Sequence, residues 1–108
     1  MAHVETANRV ELDGIVGTVC LQEILGKTRA HFTVATSMMV PDDSGDSGGP
    51  PKPRVEVSWF SVVAWEAEGV DPLDELRQGC EVHLVGRLRQ LGNTYEVVAH
   101  KLSITKGI

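Results

Sequence analysis

Val55-Glu56-Val57-Ser58-Trp59-Phe60-Ser61-Val62-Val63-Ala64-Trp65 is β-branched or aromatic at most positions and holds no breaker, so it reads as a strand. Side chains two apart share a face of a strand. Val57, Trp59, Ser61, Val63 and Trp65 therefore point one way, and Phe60, Val62 and Ala64 point the other. The second set is small and apolar and suffices for a core. The first carries both tryptophans of a chain with only five aromatic residues. A strand buried on both faces also fits so short an apolar run. The alternative is an outer face carrying two flat indoles, the equipment with which proteins stack unpaired bases.

Outward from this strand the same period recurs. Arg9 to Val19 alternates roughly, with Val10, Leu12, Gly14 and Val16 on one face, and Gly14 and Gly17 mark a bend or bulge. Thr28 to Ser37 sets Ala30, Phe32 and Val34 against His31, Thr33 and Ala35. Residues 41–53, PDDSGDSGGPPKP, have the composition of a mobile loop. After the tryptophan strand, residues 71–79 predict one short helix: Asp71 as N-cap, Pro72 in the first turn, Gly79 as C-cap. Cys80 to Arg89 alternates again, with Val82, Leu84, Gly86 and Leu88 together. Gly92-Asn93 predicts a turn, and Thr94 to Thr105 is a fifth strand. Five strands with one short helix between the third and fourth is the order of an all-β Greek-key barrel, the OB-fold, and closure would remove exposed sheet edges. At 108 residues the chain is expected to form a single domain.

The formal charge is −5, which excludes a strongly basic nucleic-acid binder. Location matters more than the sum. Residues 41–53 hold three Asp and one Lys, and the acids otherwise cluster around Glu66–Glu75. Basic residues Arg9, Lys27, Arg29, Arg54, Arg87, Arg89 and Lys101 lie near the predicted strands. Cys20 and Cys80 form no disulfide framework and no metal-ligand spacing, and read as buried free thiols. No apolar run is long enough to span a membrane, and the N-terminus lacks the basic-then-apolar order of a signal peptide. A cytoplasmic protein is expected.

Gly45-Asp46-Ser47-Gly48-Gly49-Pro50 reproduces the string around the nucleophile of chymotrypsin-like serine proteases. That chemistry needs a histidine base and an aspartate well upstream of the serine. Only 46 residues precede Ser47, with His3 and His31 among them, and they leave no room for that family's double barrel. The string lies in a proline-flanked linker and is a coincidence. His3, His31, His83 and His100 show no ligand spacing, although His31 and His83 fall on the face opposite the aliphatic set. No paired carboxylates, phosphate-cradling loop or nucleophile–base pair emerges. Neither an enzyme nor a cofactor or metal is expected.

Several segments, in order, resemble the DNA-binding domain of bacterial single-stranded DNA-binding proteins. Asn8-Arg9-Val10-Glu11-Leu12-Asp13-Gly14 is similar to that family's opening strand, and residues 32–37 to its second. Residues 59–65 are similar to its third, residues 76–89 to its helix end and fourth strand, and residues 95–99 to its fifth. The resemblance covers most of residues 8–105. It implies sequence-independent binding of single-stranded DNA in replication, repair or recombination. Base-stacking positions fall on Trp59 and Trp65, and the opening strand's basic residue on Arg9. Arg87 and Arg89 correspond to basic residues of the fourth strand and its hairpin. Arg54 joins them as a phosphate contact, and Ser61 and Thr33 complete the DNA-binding set.

The departures weaken this expectation. A further stacking tryptophan of the family falls where this chain has Met38-Met39-Val40, and another stood in a hairpin reduced here to Gln90-Leu91-Gly92-Asn93. The family's acidic tail has no counterpart before Ile108, so recruitment of replication enzymes through it is not expected. The resemblance also implies a homotetramer, or a homodimer as in primosomal relatives. The competing reading is an OB-fold protein-interaction module, or a primosome-type accessory protein, whose Trp face buries against a partner.

Overall fold

A computed structural model of the chain describes residues 4, 6–42 and 52–107. Five strands, β1 (Val10–Ile24), β2 (Lys27–Asp42), β3 (Lys52–Trp65), β4 (Glu81–Leu91) and β5 (Thr94–Lys106), make a closed barrel in the order β1-β2-β3-β5-β4. All neighbouring pairs are antiparallel except β3 and β5, which close the barrel in parallel through Val62–Val97, Val63–Val98 and Ala64–Ala99. This is the expected all-β OB-fold.

The interior is chiefly the set that alternation selects, interrupted on β5, where the register shift opposite Val85/Gly86 brings both Val97 and Leu102 inward. Val16, Ala30, Phe32, Val34, Val62, Ala64, Val82, Leu84, Val97 and Leu102 form one buried cluster, against which Val10, Leu12 and Phe60 pack. The register slips between Val16 and Val19, where Gly17 stands, so β1 pairs with β4 before this point and chiefly with β2 after it. The β4–β5 turn falls at Gly92-Asn93, with Leu91 opposite Thr94 and Gly92 at φ 60°.

Four expectations need correction. The helix over 71–79 is a single 3-10 turn, Leu73–Glu75. Asp71 does not cap it: its Oδ2 accepts the Ile104 N–H at 2.8 Å, and Leu76 turns extended, bringing both Leu73 and Leu76 into the core. Cys80 is buried as expected, but Cys20 is exposed because it lies on the outer face of β1, opposite His31. The strands at the two hairpins run longer than the sequence suggests. At the first, β1 reaches Ile24 and turns through Leu25-Gly26; at the second, Pro41–Pro53 and Asp42–Lys52 are paired as a ribbon. The rest of the proposed loop, with the Gly45–Pro50 string, lies outside the described residues. Val63 is also only 1% exposed, although it shares the outward face with the tryptophans; it is not part of the barrel cluster, and its ladder neighbours are His31 and Val98.

Candidate nucleic-acid interface

The central strand of the outer face is β3, with β2 on one side and β5 then β4 on the other. Phe60, Val62 and Ala64 face the core, which leaves Trp59 and Trp65 outward, 61% and 38% exposed. They stand six positions apart on one strand, a span of about 20 Å at ~3.3 Å per residue. That is room for several nucleotides, so the two indoles are separate platforms.

Trp65 pairs with Arg29 across β2–β3, and the Arg29 guanidinium lies 5.9 Å from the centroid of the indole ring. This is cation–π range. Arg29 also donates from a terminal nitrogen to Gln22 Oε1 at 3.0 Å. A cation is thereby fixed beside Trp65. Arg29 is legible in the sequence only as a basic residue near a strand; the β2–β3 register is what joins it to Trp65.

Between the tryptophans the floor is polar. Thr33 and Ser61 are register partners. Thr33 Oγ1 accepts the Thr18 N–H at 2.9 Å, and Ser61 Oγ lies 2.8 Å from His31 Nε2. The same His31 nitrogen is 3.7 Å from Glu96 Oε2, and Arg89 pairs with the other oxygen of that carboxylate. Glu96 is buried, and Arg89 Nε is enclosed without a partner among the described residues. Two sets of held side chains thus lie side by side, Thr18 with Thr33 and Ser61–His31–Glu96–Arg89, adjoining where Thr33 and Ser61 are register partners.

The proposed arginines separate by geometry. Arg87 is exposed and makes no ion pair among the described residues. Arg9 is paired with Glu11 at 3.5 Å, an open contact between two exposed side chains that leaves the guanidinium in water. Asn8 anchors this end of the chain: its amide donates to the Leu88 carbonyl and accepts the Leu88 N–H, both at 2.8 Å. Arg54 is paired with Glu56 at 3.5 Å, and the unbroken alternation of β3 puts it on the ribbon face opposite Trp59. Arg89 is held by Glu96. Trp59, Trp65, Ser61, Thr33 and Arg87 therefore share one surface, Arg54 lies away from it, and Arg89 has a structural partner.

No protein-family model and no curated protein matches the chain. Solved structures do. An SSB of Plasmodium falciparum in complex with ssDNA superposes with a TM-score of 0.73 at 21% identity, over 94% of this chain and 96% of that one. The PriB protein of Ralstonia solanacearum superposes in two structures, with TM-scores of 0.66 and 0.64 at 13% and 14% identity. Those matches span 93% and 92% of this chain and 99% of PriB in each case. Among the described residues no helix is long and apolar enough to cross a membrane. The chain has the OB-fold, a five-stranded closed barrel that it shares with these structures over nearly its whole length.

Proposed function

We propose that the protein binds single-stranded DNA without sequence preference, bases stacking on Trp59 and Trp65 while Arg87, Arg29 and Arg9 meet phosphates. The observation that carries this reading is the pair of exposed indoles on one strand, about 20 Å apart, with a hydrogen-bonded polar floor between them. The fold likeness to an SSB solved with ssDNA supports it. Stacking contributes roughly 1–3 kcal/mol per base. Two platforms make a weak monomer, so useful affinity requires several copies along one strand, and a homo-oligomer follows. Such binding would serve replication, repair or recombination.

Titration of the protein with oligo-dT at low salt should quench tryptophan emission saturably, and Trp65→Ala should weaken binding with the thermal transition preserved. No quenching at low salt would sink the reading. A Trp65→Ala protein that no longer folds would show that this indole belongs to the packing instead.

A second reading has its own observation. Met39, Val55 and Val57 are all more than half exposed on one face of the β2–β3 ribbon, and the chain carries a net charge of −5. This surface suits a protein partner, as an interaction or primosome-type accessory module would need. Substituting Met39 and Val57 by Ser leaves oligo-dT binding intact on this reading and abolishes the protein contact.

A further inference from the structure

Among the described residues, Gly14, Gly17 and Gly86 stand where a side chain would strike a neighbour, for two different reasons. A Cβ on Gly14 or Gly86 would meet main chain, the carbonyl oxygens of Ala35 and Val98 respectively. Those two let strands approach closely. A Cβ on Gly17 would meet side chains instead: Thr33 Oγ1 at 2.5 Å, and Trp59 Cζ3 and Cη2 at 2.6 and 3.2 Å. Gly17 is not among the residues with positive φ, so its backbone conformation does not call for glycine. Only the space requires glycine.

The two atoms of Trp59 are the far edge of the six-membered ring. Trp59 stands on β3 and Gly17 on β1, with β2 between them. The indole therefore reaches across β2, where its register partner is the small Ala35, and ends over Gly17. It lies along the sheet and is still 61% exposed. An indole held this way presents one broad face and has little freedom left to lose when a base stacks on it.

We infer that Gly17 is a positioning residue for base stacking: its missing side chain is the seat that lays Trp59 flat on the barrel. The inference rests on Trp59 being a stacking platform, as proposed above. An added methyl lifts the ring, frees it to rotate and lowers its value as a platform.

The test combines Gly17→Ala with Trp59→Ala and reads the free protein as well as binding. In a Trp65→Phe background, where Trp59 alone emits, Gly17→Ala should red-shift the emission and raise acrylamide quenching. With both tryptophans present it should weaken oligo-dT binding by about three- to ten-fold, part of one stacking contact. In the Trp59→Ala background it should change affinity less than about two-fold, since the two substitutions remove the same interaction. Equal losses in both backgrounds would overturn the inference, as would unchanged emission with unchanged affinity. Should Gly17→Ala fail to fold, adding it to Trp59→Ala/Thr33→Ala, which clears both contacts, should leave the cooperative melt of that double variant intact. A melt lost there too would assign Gly17 to the backbone. If the wild-type protein does not bind oligo-dT, the functional reading falls, while the emission of the free protein still decides whether Trp59 is seated on Gly17.

Discussion

Glu96 is the buried carboxylate of the outer face, held between Arg89 and His31. It places negative charge under the path proposed for DNA and keeps Arg89 from phosphates. Alternation along β4 put Arg89 on the correct face but said nothing of its partner. The partner was within reach: a two-residue turn at Gly92-Asn93 sets Leu91 against Thr94, and counting back pairs Arg89 with Glu96. Glu96→Gln keeps the shape and removes the charge. Breaking a buried pair costs several kcal/mol when the remaining charge is stranded, but Arg89 is 39% exposed and rehydrates, so a loss of about 1–3 kcal/mol is expected. Oligo-dT affinity at low salt should rise, because a carboxylate leaves the face and a guanidinium is released. A thermal melt and a titration read the two effects. Lower stability with unchanged affinity would place Arg89 beyond reach of the DNA backbone.

At the scale of elements, strands were legible and their ends were not. Core alternation in β2 and β3 is strict, and Ala30, Phe32, Val34, Val62 and Ala64 are buried as read. The stretch 71–79 carried good helix signals, yet the barrel needs Leu73 and Leu76 inward, and Asp71 serves Ile104 on β5. Tertiary demand outweighed local preference over so short a piece. The β1–β2 hairpin was missed because Leu25-Gly26 lacks the usual turn chemistry. Leu25 sits at φ 53°, in the left-handed region that favours Gly and Asn, and its side chain is fully exposed. Nothing in the barrel compensates this conformation. Leu25→Asn should therefore stabilise the protein by about 0.5–1 kcal/mol, which raises the thermal midpoint by roughly 2–8 °C for a domain of this size. A lowered midpoint would mean that Leu25 is covered by a partner in solution.

For the whole molecule, charge separates this protein from a general polyanion binder. The excess of acid is 5, so long-range attraction of DNA is absent, and affinity must come from contacts on one face. Of the six arginines, Arg77 is tied to the Asp74 and Leu76 carbonyls beside the 3-10 turn, Arg89 is held by Glu96 and Arg54 faces away. Arg87, Arg29 and Arg9 remain, and Arg9 shares its charge with Glu11. Each phosphate neutralised on a single strand contributes about −0.7 to the slope of log K against log salt. Two to three contacts per protomer thus predict a slope of about −1.4 to −2.1, shallow beside a binder that relies on a basic groove. Stacking on Trp59 and Trp65 is insensitive to salt and should persist as a residual affinity when the ionic contribution is screened. Titrations of oligo-dT across a salt series, expressed per bound protomer, measure both quantities. Arg87→Ala should reduce the slope by about 0.7 and leave the tryptophan quenching amplitude unchanged. A slope much steeper than predicted would show that further cations, brought by a second copy or by residues outside those described, line the path of the strand.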